Sequence, residues 1–270
     1  MLNAANYSLD YSTRSLTKSR RRWLTKAASL VTFTNSNNWF SSNLSANSLS
    51  INTSSLKDAE EELETIRQSA NLPALATGMI RKDGDCKFAF SGVRNSNSEA
   101  SLRPNDVFHL GSCTKSMTAT LLAIFVQEGK LSWESTLGEL FHGIKANNPA
   151  KNLNASLTLD QSPWADVTIS EVMRHQGGLP ANAPWSFWID RKDIVKAREE
   201  VAGWLLTQDK PEDSKRKFLY SNVGYMLIGH ALERIEKKPW EEIIRERLFG
   251  PLDMKSAGFS SPALLPNNII

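Results

Sequence analysis

The chain has 270 residues, 40% hydrophobic and 23% charged, which is the range of an ordinary globular protein and excludes a fibrous or wholly disordered one. Residues 1 to 56 carry +5 of a formal total of +3, so the other 214 residues sum to −2; a body without basic excess argues against a nucleic-acid surface. The two cysteines form no Cys-x-x-Cys and the four histidines no His-Glu-x-x-His, so neither a metal nor an organic cofactor is implied.

Residues 1–52 are rich in Ser and Asn without a sustained apolar period, and read as a leader or disordered segment. Within them Arg20, Arg21 and Arg22 precede a short apolar stretch, and "SRRRWLTK" resembles a twin-arginine export motif. That resemblance implies an exported, periplasmic or extracellular protein. An Arg- and Ser-rich, acid-poor leader suits an organelle transit peptide equally well, and a plain tail also fits. The longest apolar run, Leu121 to Val126, is far too short to span a membrane.

Residues 53–270 are expected to form one domain. Its first part, 53–110, opens on a helix over about 55–70, which Ser54 or Ser55 can cap; acids crowd its first turns and Pro73 follows its end. Two β-prone runs flank Asp83-Gly84, a hairpin signal. The second part, 111–250, is mainly helical. From Ser112 to Glu128 the sequence is apolar nearly all round and stops at Gly129, which predicts a helix buried on most faces. Further helices are expected over about 168–175, 192–208, 222–237 and 239–248. One helix, a hairpin and then a long helical region make an α+β pattern.

The segment "HLGSCTKSMTATLL" sets Ser112 and Lys115 three residues apart at the start of that apolar helix, on one face. Unpaired N–H groups and the positive end of the helix dipole favour an anion developing there. A lysine acts as a base only after losing a proton, and with an ordinary pKa of ~10.4 about one in 2,500 is neutral at pH 7. Burial lowers such a pKa by up to ~3–5 units. Ser15–Lys18, Ser54–Lys57 and Ser214–Lys217 share the spacing, but only Ser112 opens an apolar helix. The competing reading is an N-cap serine beside a snorkelling lysine. Cys113, next in line, is expected to be buried.

In "KFLYSNVGYMLIGHALERI", Tyr220 and Asn222 flank Ser221 just before an amphipathic helix. Positions i and i+2 of an extended turn point the same way, so phenol and amide can face one cleft; the phenol can relay a proton and the amide can hold a lysine and a substrate. The alternative is Asn222 as helix cap beside a packed tyrosine. Trp185, Phe187 and Trp188 are expected to pin a loop rather than to line a substrate mouth.

Taken in order, "HLGSCTKSMTATLLAIFVQEGKLSWESTLGEL", "VTISEVMRHQGGLP", "LYSNVGYMLIGHALERI" and "LFGPLDMKSAGF" resemble the serine β-lactamase and penicillin-binding-protein superfamily in its class C-like branch, over residues 60 to 260. The resemblance implies Ser112 as acylated nucleophile, Lys115 as its activating amine, Tyr220 as proton shuttle and Asn222 as holder of substrate and lysine. The Ser112 N–H would supply half of an oxyanion hole, and His175 is read as structural. The implied substrate is a small molecule or peptide with an amide or ester bond, and no cofactor. After Asn222 neither Lys-Thr-Gly nor His-x-Gly appears, although the family carries one of them on a strand there. A truncated member with an incomplete antiparallel sheet is therefore expected. It would be an active serine hydrolase, alone or joined by a complementing C-terminal fragment, or else an inactive remnant that at most binds.

Overall fold

The structure, a computed structural model, describes residues 56–80, 86–94, 96–97, 99–145, 158–188, 192–211 and 217–259. The expected leader, the serines proposed to cap the first helix and the hairpin tip at Asp83-Gly84 lie outside them. Two compact units divide the chain: residues up to His109 with those from Ser256 onward, and Leu110–Lys255.

In the first unit, helix α1 (Leu56–Ser69) accompanies strands β1 (Ala74–Ile80) and β2 (Cys86–Gly92). The strands pair antiparallel from Ala74 opposite Gly92 to Ile80 opposite Cys86. Leu63 of α1 and Ala89 of β2 are buried. Glu64 ties helix to strand by accepting hydrogen bonds from Arg67 and from the Ser91 hydroxyl. Those two partners, Arg67 first, lower its carboxyl to about 2.

Gly92 closes β2 with a φ of +96°, and a Cβ there would lie 2.2 Å from the Pro73 carbonyl oxygen and 2.9 Å from the Ala74 Cα. Both obstacles are backbone, so nothing can swing aside. Gly92→Ala is expected to cost more than about 1 kcal/mol, read as a lower midpoint in denaturant; an unchanged midpoint would contradict the clash.

The second unit is helical. A 3-10 turn at Gly111–Cys113 runs into α2 (Thr114–Gln127). Short helices α3 (Leu137–Leu140) and α4 (Ile169–Met173) each begin with a reciprocal capping box, Thr136 with Glu139 and Thr168 with Glu171. The two caps form a β-bridge to each other, so the helices start side by side. Helix α5 (Ile194–Leu205) is capped by Asp193, whose carboxylate accepts from the Lys196 N–H at 2.9 Å. Helix α6 (Asn222–Glu236) follows, then α7 (Trp240–Ile244), which continues as a π-turn through Phe249.

Helix α6 is the hub, touching α2, α4, α5 and α7. Its buried set runs from Val223 and Gly224 through Leu227, Ile228, Ala231 and Leu232. Gly224 permits the closest approach: a Cβ there would lie 2.9 Å from Val172 of α4 and 3.2 Å from Leu179. Helix α2 departs from expectation. Its buried residues are Thr118, Leu121, Leu122 and Phe125, an i, i+3, i+4, i+7 stripe, and its other faces are mostly half-buried rather than buried. Cys113 departs too, since it sits in the 3-10 turn ahead of that stripe and is exposed.

One polar cluster is enclosed among these helices. Arg198 of α5 donates to Glu233 of α6 at 3.1 and 2.7 Å and to Glu241 of α7 at 3.1 and 2.8 Å. Glu233 also accepts from the Trp240 N–H at 2.8 Å and faces His230 Nδ1 at 2.9 Å. The Glu233 side chain is 3% exposed and that of Arg198 11%.

Candidate active site

Everything in this site belongs to the second unit. Ser112 stands in the 3-10 turn, and Lys115 lies one turn along in α2. The cap position of α2 is Cys113, which makes no side-chain cap bond, so Ser112 is not spent as a helix cap. Its Oγ instead accepts from Lys115 Nζ at 3.1 Å and lies 2.7 Å from Tyr220 Oη. Lys115 is half-buried, and its Nζ also donates to Asn222 Oδ1 at 2.6 Å. The same nitrogen lies 4.8 Å from the Tyr220 ring centroid and 5.6 Å from that of Tyr225. All four residues singled out in the sequence therefore meet within hydrogen-bonding reach. Of the other three Ser-x-x-Lys pairs, none has both members among the described residues.

Tyr220 and Asn222 converge because of the residue between them. Ser221 is extended, with φ −132° and ψ 119°, so its neighbours project to one side. It is Ser221, not Asn222, that caps α6: the Ser221 hydroxyl accepts from the Gly224 N–H at 3.0 Å and donates to the Pro180 carbonyl at 2.6 Å. This leaves the Asn222 amide free to face Lys115. Nor is Tyr220 packed away, being 40% exposed.

A second backbone segment, 175–182, runs alongside. The Leu219 N–H donates to the His175 carbonyl at 2.7 Å, and the Asn222 N–H to that of Ala181 at 2.8 Å. Asn222 Nδ2 donates to Asn182 Oδ1 at 2.7 Å, which fixes the amide with its oxygen toward Lys115. The sequence reading missed Asn182. The signal was the arithmetic of Asn222 itself, since a carbonyl given to lysine leaves two N–H donors needing an acceptor. Phe187 packs edge-on to Trp204 of α5 with centroids 6.3 Å apart, as a loop pin should, whereas Trp185 is 78% exposed and pins nothing.

The charges act on one another. The Lys115 ammonium, hydrogen-bonded to the phenol, holds Tyr220 below its ordinary value near 10, and the bond to Ser112 adds to this. His175 is pushed down, first by burial and then by the Lys115 charge. No group of His, Cys, Asp and Glu side chains among the described residues is arranged to hold a metal ion.

The family profile for Beta-lactamase matches residues 59–267. The chain belongs to the beta-lactamase family. Among curated relatives in this family, penicillin-binding protein 4 of Amycolatopsis lactamdurans is 26% identical over 197 residues, covering 72% of this chain and 47% of the relative. A putative D-alanyl-D-alanine carboxypeptidase of Escherichia coli O157:H7 is 29% identical over 168 residues, covering 57% of this chain and 34% of the relative. Among solved structures, a class C beta-lactamase from Rhodobacter sphaeroides superposes with a TM-score of 0.54 at 22% identity, over 71% of this chain and 48% of that one. D-amino acid amidase from Ochrobactrum anthropi SV3 gives 0.54 at 21%, over 74% and 52%. These likenesses show the beta-lactamase/transpeptidase fold, in agreement with the α+β expectation. The chain spans half or less of the length of the curated relatives it matches.

Proposed function

We propose that this beta-lactamase-family chain is a serine hydrolase that cleaves amide or ester bonds through an acyl-enzyme on Ser112. The observation that carries this reading is that one hydroxyl, Ser112 Oγ, lies 3.1 Å from an amine and 2.7 Å from a phenol. A nucleophile needs a proton acceptor in contact and a charge that lowers the acceptor's pKa. Tyr220, held down by Lys115, meets both demands. Tyr220 as phenolate takes the Ser112 proton while Oγ bonds to the substrate carbonyl carbon, with the Lys115 ammonium balancing the charge. As the scissile bond breaks, the leaving amine or alcohol takes that proton from Tyr220, and an ester remains on Ser112. Water attacks the ester and passes its proton to Tyr220, which returns it to Ser112 as the acid departs. Asn222 orients Lys115 and offers its amide to the substrate. The names of the relatives, an amidase and a putative carboxypeptidase, support an amide or peptide substrate. Export, expected from Arg20, Arg21 and Arg22, is part of the same proposal; no helix among the described residues is long and apolar enough to cross a membrane.

The test is intact mass after exposure to a penicillin or a fluorophosphonate. A single adduct mapped to Ser112 is expected, and folded protein that gains no mass would overturn the reading. A pH series refines it. The labelling rate should rise with pH as the phenol ionises, with a midpoint below the ordinary phenol value, and fall away as pH drops. Lys115→Met should move that midpoint upward; a profile indifferent to this substitution would remove Tyr220 as the base.

A second reading rests on a different observation. Residues 223–270 contain no Lys-Thr-Gly or His-x-Gly, and the described residues hold a sheet of two strands. Losing one oxyanion donor costs ~10²–10³ in turnover. On that reading these residues bind substrate without acylation, or acylate only when a strand carrying the motif is supplied. Labelling that appears only after a fragment carrying such a strand is added would favour it.

A further inference from the structure

Resting on the acyl-enzyme reading, we infer that His175 is a positioning residue: a neutral imidazole whose bare Nδ1 holds the extended segment carrying Tyr220 in place against Ser112. The Ser221 N–H donates to His175 Nδ1 at 3.0 Å. A nitrogen that accepts has no proton, so the ring is neutral and carries its hydrogen on Nε2. From the same residue the backbone carbonyl takes the Leu219 N–H at 2.7 Å. Tyr220 lies between these two anchored amides, and its ring tilts against the imidazole with centroids 4.5 Å apart. Three contacts from one residue therefore fix the phenol's backbone and its plane.

The backbone at His175 adds to the case. It adopts φ +57°, a left-handed conformation that is strained for a non-glycine residue. Glycine would relieve that strain, yet two glycines, Gly177 and Gly178, lie close by in the chain while a histidine occupies this position. The side chain supplies something that glycine does not. The titratable groups facing the ring are Lys115 from α2, Tyr220 from the preceding segment and Tyr225 from α6, the last with centroids 5.3 Å apart. On its own turn, Arg174 bonds back to the Ser170 carbonyl and Glu171 closes the cap of α4. Burial and the Lys115 charge, in that order, both favour the uncharged ring, consistent with the geometry. An imidazolium has no acceptor, so protonation would release Ser221 and with it the phenol.

Two variants separate the acceptor from the strain. His175→Gly tolerates the left-handed backbone and removes the acceptor; His175→Asn tolerates it and places an amide oxygen near the site of Nδ1. Misplacing a reacting group by about 1 Å costs on the order of 10²-fold. His175→Gly is therefore expected to slow fluorophosphonate labelling of Ser112 by about that factor, with His175→Asn recovering most of it. Equal rates for His175→Gly and wild type, or no recovery in His175→Asn, would overturn the inference. Imidazole ¹⁵N spectra of the wild-type chain at neutral pH decide independently of activity and of whether a variant folds. They should show His175 neutral with its proton on Nε2, and a proton on Nδ1 would overturn it. If wild-type protein shows this tautomer but never labels, Ser112 acylation fails while the hold on Tyr220 stands.

Discussion

Ser112→Ala is expected to abolish covalent labelling and to reduce any hydrolysis by at least about 10⁴-fold, since removal of an acylated serine costs up to ~10⁶ in a comparable hydrolase. Nothing nearby can replace the hydroxyl. Cys113 is adjacent in sequence, but hydrogen bonds from Lys115 and Tyr220 converge on Ser112 Oγ. Lys115→Met and Tyr220→Phe should each lower turnover by ~10²–10⁴, the usual weight of a placed proton acceptor. The pair should cost little more than the worse single change, because the amine acts through the phenol. Fully multiplicative losses would mean that the two work separately. Labelling of Ser112→Ala at the wild-type rate would place the nucleophile elsewhere.

Glu233→Ala should be the most damaging change to stability, at about 3–5 kcal/mol, the usual result of stripping one partner from a buried ion pair. Arg198 would keep Glu241 but lose two bonds, and the Trp240 N–H would lose its acceptor. Against a typical total of ~5–15 kcal/mol, that loss decides whether the second unit stays folded at 37 °C. Thermal unfolding measures it, and a drop below ~1 kcal/mol would show that water replaces the carboxylate. The pH dependence has a definite sign. Burial raises the Glu233 carboxyl, but His230 and Arg198 outweigh it and hold it below the ordinary range. A carboxyl lowered in the folded state stabilises fully above its unfolded pKa, near ~4.3, and that contribution fades as pH falls through the folded value. Glu233→Gln should therefore flatten the acid limb of the stability curve.

Local pattern made the centre of the site legible, and its surroundings were not. Ser112 and Lys115 could be found because helical spacing and an apolar run converge on them; Tyr220 and Asn222, because an extended step precedes an amphipathic helix. The partners that orient those groups come from a loop about 40 residues earlier. Asn182 reaches Asn222, and His175 reaches Ser221, and no periodicity connects residues so far apart. The cap of α6 shows a subtler limit. Asn and Ser are both good caps, and only packing against the Pro180 carbonyl selects Ser221. Helix α3 has its Thr-x-x-Glu signature at Thr136 and Glu139, yet four residues are too few for an apolar period to register. The apolar content of α2 overstated its burial, because composition records how many faces can be covered and not how many are.

The extended conformation of Ser221 makes the site a matter of parity. Tyr220 and Asn222 meet Lys115 together because they are an even number of steps apart along a pleated backbone. A substitution at Ser221 that keeps a hydroxyl able both to accept from Gly224 and to donate to Pro180, such as Thr, leaves that count intact and should be absorbed. Inserting or deleting one residue between phenol and amide would turn one of them to the opposite side, whatever the inserted residue. This short stretch can therefore change in chemistry by degrees, but in length only by an abrupt loss of one of its two side chains.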